Sequence, residues 1–247
     1  DFYKACRAAS ILGTLQAGYT DFKFLTDTSK LIFDREALLG VSITGWMNNP
    51  DILFNEKILE KGATIVKEVN KEVAQIIGIN AAARTTCVKP SGNASVLLQT
   101  ASGIHAEHSD MYIRNVQMNK ESEITQAIMK TNPYMVEESV WSSTGTDVVV
   151  SFPILPKKGS MYKDDLLGIK HLELVKKAQK HWVETGTNED LCADKGIRHN
   201  VSNTIIVDDW DNVEKYVYEN RDAFAGISFL AMTGDKDYNQ APNTGVI

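Results

Sequence analysis

The spacing of apolar residues between positions 55 and 77 constrains this chain more than any other feature of its sequence. Apolar or small side chains recur there at intervals of three or four, at Ile58, Gly62, Ile65, Val69, Val73 and Ile76. This is the spacing of one face of a helix. Short apolar runs typical of buried strands flank it at residues 38–44 and 83–88. Two strands joined by a helix of this length predict a crossover connection between parallel strands.

The same alternation of patterns continues along the chain. Strand-type runs occupy residues 111–118, 147–152, 200–207 and 227–230, and helix-type spacing occurs at residues 3–19, 169–185 and 210–224. We expect Pro153 to end the second of these strands, because proline cannot donate a hydrogen bond within a sheet. The alternation predicts an α/β fold with a largely parallel sheet.

Composition narrows the class of protein. The chain has 247 residues, 43% of them hydrophobic and 23% charged, which is typical of a globular protein with a substantial core. Its formal net charge of −6 argues against nucleic acid as a partner. Cys6, Cys87 and Cys192 lie far apart, which indicates reduced thiols and a cytoplasmic location. Since no apolar run reaches membrane-spanning length, we expect no membrane partner. We expect residues 1–247 to form a single domain.

The loop Lys89-Pro90-Ser91-Gly92-Asn93-Ala94-Ser95 follows the strand-type run at residues 83–88. A loop of this kind that opens a helix presents unpaired backbone N–H groups to an anion such as phosphate. It has neither the spacing of a nucleotide P-loop nor that of a dinucleotide fingerprint. Two interpretations therefore stay open at this point: a phosphate site, or an ordinary turn in which Ser91 or Asn93 caps a helix.

Other polar residues favour structural roles. His105, Glu107 and His108 lie close together in a glycine-containing stretch, but no third histidine or cysteine ligand is evident, and solvated or substrate-facing histidines are the simpler interpretation. The pair Asp208-Asp209 is typical of a helix N-terminus. Asp235-Lys236-Asp237 is typical of a solvated turn and not of a metal site. These patterns predict no metal centre.

Cys87 and His199 each allow two interpretations. Cys87 lies in the strand before the loop, where its thiol either fills the core or points at a ligand. His199 lies at the polar start of the strand-type run at residues 200–207, and it either lines a pocket or ends the sheet. Neither residue carries a function by its position alone.

Five stretches of the sequence resemble, in order, the large catalytic subunit of ribonucleotide reductases, and specifically the adenosylcobalamin-dependent class II branch. The central one is Thr86-Cys87-Val88-Lys89-Pro90-Ser91-Gly92-Asn93-Ala94-Ser95, and Thr100-Ala101-Ser102-Gly103-Ile104-His105 follows it. The others lie at residues 15–22, 199–204 and 226–230. Together they extend over nearly the whole chain.

The resemblance implies a fold, a reaction and a site. The fold is the second half of a ten-stranded α/β barrel, and the reaction reduces a ribonucleoside di- or triphosphate through a thiyl radical, with adenosylcobalamin as cofactor and a thioredoxin-like reductant. The substrate phosphates would be bound by Ser91, Gly92, Asn93, Ala94 and Ser95. The implied donors are the backbone N–H groups of residues 92–95 and the hydroxyls of Ser91 and Ser95, with Lys89 a weaker candidate.

The chain departs from this family in one respect. The family's thiyl cysteine lies in an Asn-x-Cys-x-Glu loop, and Cys6, Cys87 and Cys192 all have other neighbours. The resemblance therefore implies no catalytic residue in this chain, and it implies a fragment or split piece of the barrel that depends on an N-terminal part of the same enzyme. Two alternatives stay open: a non-catalytic nucleotide- or phosphate-binding module, and the large subunit of a diiron-dependent reductase.

Overall fold

The computed structural model describes residues 1–232 and 238–246. The predicted turn at residues 235–237 lies outside the described residues. The α-helices are α1 (Phe2–Ala17), α2 (Asp27–Glu36), α3 (Pro50–Leu53), α4 (Glu56–Ile77), α5 (Ala94–Leu97), α6 (Glu123–Thr131), α7 (Gly168–Ala178) and α8 (Trp210–Glu219). The strands are β1 (Val41–Ser42), β2 (Thr86–Cys87), β3 (Tyr112–Asn119), β4 (Val136–Glu138), β5 (Asp147–Ile154), β6 (Thr204–Val207), β7 (Ser228–Ala231) and β8 (Asn243–Gly245).

The long helix α4 confirms the prediction made from residues 55–77. The Asn55 side chain accepts the N–H of Ile58 at its start, and Gly78 ends it with a φ of +77°. Its buried face is rotated from the predicted one and consists of Leu59, Gly62, Ala63, Val66, Val69, Asn70 and Ala74. Ile76, which the spacing placed inside, is 81% exposed. The helix packs against α1, whose Ser10 hydroxyl donates to the Val66 carbonyl.

Four of the strands run parallel, as the crossover pattern predicted. β1 pairs with β2, and β6 pairs with β7. A bridge between Val88 and Val201 joins β2 to β6, which gives the spatial order β1, β2, β6, β7. The paired segments are shorter than the apolar runs at residues 38–44 and 83–88. Helix α4 connects β1 to β2, and α8 connects β6 to β7, on the pattern of βαβ units.

The prediction of a largely parallel sheet is wrong for the remaining strands. β4, β5, β3 and β8 form an antiparallel sheet in that order. The segment between β3 and β5 holds the nine-residue helix α6 and the short strand β4, so the chain returns in hairpin fashion. Pro153 does not end β5 but pairs with Ile113, where only β3 borders the strand.

The hydrophobic core lies between the parallel strands and the helices that connect them. Trp46, Leu59, Leu172, Trp182 and Ile205 are completely buried in it. Helix α7 continues into a π-helical turn at Gln179–Glu184, a rare conformation that places Trp182 against β2. This packing fixes the strand from which loop 89–95 departs. That residues 1–247 form one domain stays a prediction.

None of the helices in the described part of the chain combines the length and the apolar content needed to cross a bilayer.

Candidate functional site

The strand that leads into loop 89–95 is held by side chains on its flanks. The Thr86 hydroxyl donates to the Trp182 carbonyl at 2.7 Å, and the Trp182 indole N–H donates to the Cys87 carbonyl at 3.0 Å. Two residues after Cys87, the Lys89 N–H donates to the Ser42 hydroxyl at 3.0 Å. The loop therefore begins from a fixed point at the end of β2.

Within the loop, Ser91 and Ser95 bond to each other. The Ser91 hydroxyl accepts the Ser95 N–H at 2.9 Å, and the Ser95 hydroxyl donates to the Ser91 carbonyl. Asn93 occupies the cap position of α5, but its side chain makes no capping hydrogen bond. Ser91 thus caps the helix, and the capped-turn interpretation describes part of this loop.

Successive backbone donors at the tip of the loop have no protein acceptor. The N–H groups of Gly92, Asn93 and Ala94 bond to none of the described residues, and all three residues are exposed. N–H groups at the start of a helix that have no intrahelical acceptor can bind an anion. The hydroxyl hydrogen of Ser91 is a further available donor, whereas both donors of Ser95 are committed to Ser91. The binding of phosphate by residues 91–95 stays a prediction.

A second segment forms a wall behind the loop. The Ser102 hydroxyl accepts the Ser91 N–H at 2.8 Å and donates to the Ser91 carbonyl at 3.0 Å. Gly103 has a φ of +55°, and a Cβ atom there would lie 2.9 Å from the Lys89 carbonyl oxygen. The structure therefore brings two of the quoted stretches, residues 86–95 and 100–105, into direct contact.

The stretch that raised the question of a metal site is used for internal bonding. The Nδ1 atom of His105 lies 3.0 Å from the carbonyl oxygen of Ser102. Glu107 is buried and accepts hydrogen bonds from Asn48 at 2.7 Å and from the Tyr112 hydroxyl at 2.9 Å. Across residues 1–232 and 238–246, no three such side chains come together in a geometry that could hold a metal ion.

Tyr112 and His171 are two buried titratable groups that sequence reasoning did not find. Burial, together with the Glu107 carboxylate, raises the pKa of Tyr112 to about 12. Burial lowers the pKa of His171 to about 4, and its Nε2 lies 3.0 Å from the Ile104 carbonyl. Both side chains therefore stay neutral at pH 7, and both hold the segment that follows loop 89–95.

Burial makes the three cysteine thiols harder to ionise. Burial raises the pKa of Cys6 and that of Cys87 to about 11, and it also raises the pKa of Cys192. Cys87 packs so closely on Gly40, the residue before β1, that a Cβ atom there would lie 2.9 Å from its Sγ. The interpretation of Cys87 as core filling therefore fits its surroundings.

His199 lies five residues before β6. Its Nδ1 lies 3.1 Å from the Thr86 carbonyl oxygen, and burial lowers its pKa. The ring therefore braces β2 one residue before Cys87. This position agrees with the interpretation that His199 ends the sheet.

A cavity of about 520 Å³ lies beside the stem of the loop. Its lining includes Phe22 and Phe33, whose rings are 4.7 Å apart, together with Gly40 and Ser42. Ser42 connects the two features, because the same side chain accepts the Lys89 N–H. Sequence reasoning missed this cavity, since its walls come from α1, α2 and β1 and no local pattern relates them.

Comparison with known proteins identifies relatives, although no family model matches the chain. The chain is 27% identical over 190 residues to a probable adenosylcobalamin-dependent ribonucleoside-triphosphate reductase of Dictyostelium discoideum. The aligned region covers 74% of this chain and 24% of that protein. It is 24% identical over 169 residues to the adenosylcobalamin-dependent ribonucleoside-triphosphate reductase of Euglena gracilis. That alignment covers 67% of this chain and 23% of that protein. The chain thus spans about a quarter of the length of these curated relatives.

The fold also matches a solved structure. A B12-dependent (class II) ribonucleotide reductase superposes on the whole of this chain with a TM-score of 0.78 at 16% identity, over 36% of its own length. The match confirms the α/β fold class predicted from the sequence. The chain is thus similar in sequence to adenosylcobalamin-dependent ribonucleoside-triphosphate reductases, and it has the fold of part of a class II ribonucleotide reductase.

Proposed function

We propose that this chain is part of an adenosylcobalamin-dependent ribonucleotide reductase, which converts ribonucleotides to deoxyribonucleotides by thiyl-radical chemistry, and that loop 89–95 binds the phosphates of the substrate. One observation carries the proposal for the loop: residues 92–94 are exposed, and their N–H groups have no acceptor among the described residues. The relatives named as ribonucleoside-triphosphate reductases give that anion its chemical class.

The loop would bind phosphate oxygens through main-chain donors. Hydrogen bonds from N–H groups to a charged oxygen are roughly twice as strong as those between neutral groups. Helix α5 has only four residues, so the N–H groups themselves and not a long helix dipole would supply the attraction. Lys89 is exposed, and its positive charge lies close enough to Cys87 to lower the pKa of that thiol against the effect of burial. Its ammonium would add long-range attraction for a polyphosphate.

Adenosylcobalamin is implied by the names of the relatives. The cavity beside the loop, of about 520 Å³, has the size of a site for a drug-sized ligand, and a corrinoid is much larger. Its lining does not enclose such a cofactor. We therefore assign none of the residues of this chain to the cofactor.

We propose that another part of the same enzyme completes the site. Apolar side chains on α1, α2 and the segment between them are exposed: Leu12 by 64%, Leu31 by 69% and Phe24 by 99%. In the described structure β1 pairs only with β2, and β7 pairs only with β6, so each has an edge that another strand can join. This agrees with the implied second half of a barrel that packs against a first half.

The radical chemistry itself would belong to that other part. The sequence of this chain holds no Asn-x-Cys-x-Glu, and burial raises the pKa of Cys87, the thiol next to the loop. The assignment of a thioredoxin-like reductant also stays a proposal. The names of the relatives favour the cobalamin-dependent branch over a diiron-dependent one.

A charge substitution at the tip of the loop tests the phosphate site. A Cβ atom at Gly92 would meet no atom within 4 Å, so we expect Gly92→Asp and Gly92→Asn both to fold. The aspartate would place a negative charge before the free N–H groups, and the isosteric asparagine would not. Calorimetric titration with inorganic tripolyphosphate and with CTP should show much weaker binding for Gly92→Asp than for Gly92→Asn. Equal binding by the two variants would overturn the loop assignment.

The reaction is tested in the protein as its complete reading frame encodes it. Assayed with adenosylcobalamin, a dithiol and each of the common ribonucleoside triphosphates, it should form deoxyribonucleotides. Phosphate binding by a folded protein without turnover would instead favour the non-catalytic module.

A further inference from the structure

The Ser102 hydroxyl makes two hydrogen bonds to the same residue of loop 89–95. It accepts the Ser91 N–H at 2.8 Å and donates to the Ser91 carbonyl at 3.0 Å. Because Ser91 in turn caps α5 through Ser95, both peptide groups of Ser91 have fixed orientations. The peptide that follows Ser91 carries the first of the free donors, the N–H of Gly92.

Ser102 is itself held on both sides. The N–H of the preceding residue, Ala101, donates to the Asn48 side-chain oxygen at 2.7 Å. The Ala101 carbonyl accepts the Thr44 hydroxyl at 3.1 Å, and the same Thr44 oxygen accepts the Gly103 N–H at 3.0 Å. The residues on both sides of Ser102 are thus held by two side chains that follow β1, those of Thr44 and Asn48.

These anchors continue into the interior. Asn48 is buried, and its amide donates to the Glu107 carboxylate at 2.7 Å and to the Ser160 hydroxyl at 3.0 Å. A buried polar network in which each member has partners is rigid, because any rotation leaves an unpaired group at low dielectric. The position of the Ser102 hydroxyl is therefore set by the core and not by the exposed loop.

We infer that Ser102 is the positioning residue of the anion loop: it holds the Ser91 peptides so that the N–H groups of residues 92–94 are oriented outward before any ligand binds. This inference rests on the proposed function of the loop. Preorganised donors bind an anion more tightly than donors that must first be ordered, because the cost of ordering has been met on folding. Ser102 would act on affinity without touching the phosphate.

The test compares Ser102→Ala with Ser102→Thr in the complete protein, with Ser109→Ala as control. Ser109 is half-buried, and its hydroxyl donates to the Met111 carbonyl within its own turn, away from loop 89–95. Loss of two neutral hydrogen bonds predicts that Ser102→Ala weakens the binding of tripolyphosphate and CTP by about tenfold, while Ser102→Thr stays within about twofold of the wild type. Measured without ligand, hydrogen exchange of the Ser91 and Ser95 amides, which are hydrogen-bonded in the loop, should accelerate in Ser102→Ala only.

The outcomes separate this inference from the function on which it rests. If the wild type binds both probes and Gly92→Asp does not, but Ser102→Ala binds like the wild type, the positioning role is wrong and the loop assignment stands. If the wild type binds neither probe, both are wrong. A loss in Ser102→Ala that Ser102→Thr does not restore would indicate a general structural defect and would also overturn the inference. In the reductase assay, Ser102→Ala should raise KM for the nucleotide with little change in kcat.

Discussion

The indole N–H of Trp182 donates a hydrogen bond of 3.0 Å to the carbonyl oxygen of Cys87. Trp182 lies in the π-helical turn that continues α7, and its own carbonyl accepts the Thr86 hydroxyl at 2.7 Å. The widened turn therefore offers both a donor and an acceptor to β2, directly before loop 89–95 begins. Trp182 is completely buried and Thr86 and Cys87 are buried, so both bonds lie inside the core.

Substitution of Trp182 by phenylalanine should therefore be costly. Trp182→Phe leaves the Cys87 carbonyl without its donor, and an unsatisfied buried acceptor costs about 1–3 kcal/mol. We expect the free energy of unfolding in urea to fall by that amount or more, since volume is also lost. Trp141→Phe is the matched control, because Trp141 is 62% exposed. Equal losses in the two variants would mean that the buried bond adds nothing.

The contact between Gly40 and Cys87 makes a double-mutant cycle possible. Gly40→Ala would bring a methyl group within 2.9 Å of the Cys87 Sγ, and overpacking of this kind costs about 1–3 kcal/mol. Cys87→Ala removes that sulfur, and the remaining Cβ lies 4.0 Å away. We expect the double variant to be more stable than the sum of the single effects implies, as measured by urea unfolding. Strict additivity would contradict the contact.

His171 predicts a loss of stability in mild acid. Its pKa in the folded protein, about 4, lies below the value of about 6.5 expected in the unfolded chain, so the unfolded chain binds a proton first as the pH falls. The contribution of neutral His171 to the free energy of unfolding is therefore complete above about pH 6.5. It declines as the pH falls towards 4, and about 2 kcal/mol of it is lost at pH 5. His199, whose pKa burial also lowers, acts in the same direction.

The variant His171→Gln isolates this effect. Its amide can still donate to the Ile104 carbonyl, and it does not titrate. Urea unfolding at pH 7 and pH 5 should show a smaller loss for the variant than for the wild type. The same loss in both proteins would assign the acid sensitivity to other groups.

Tyr112 supplies one of the donors to the buried Glu107. Tyr112→Phe removes the hydroxyl that donates to Glu107 at 2.9 Å and accepts from Arg114 at 3.0 Å. Hydrogen bonds to charged groups contribute about 1.5–3 kcal/mol, so a loss in that range is expected in thermal or urea unfolding. Tyr134→Phe, at a position 82% exposed, should change stability by less than about 0.5 kcal/mol. Similar values for the two variants would contradict the network.

The local pattern predicted helix α4 better than the patterns predicted the pairing of the strands, and helices α2 and α6 were not predicted. Helix α4 agrees with the prediction to within a residue at its start, because its capping residue Asn55 and its terminating Gly78 are both local signals. The predicted parallel direction of β3 and β5 was wrong, because the direction in which two strands pair depends on how the chain between them returns. A run of β-branched residues such as those of β5 is compatible with either direction.

The sequence by itself determined the α/β class, the position of loop 89–95 and the resemblance to class II reductases, because these depend on residue types in a fixed order along the chain. Only the tertiary structure decided which of the loop's donors are available. Ser95 is committed to Ser91, and Ser91 is held by Ser102, eleven residues away. Those bonds depend on a chain reversal behind the loop that brings residues 100–103 against it. Spacing along a sequence does not record such a reversal.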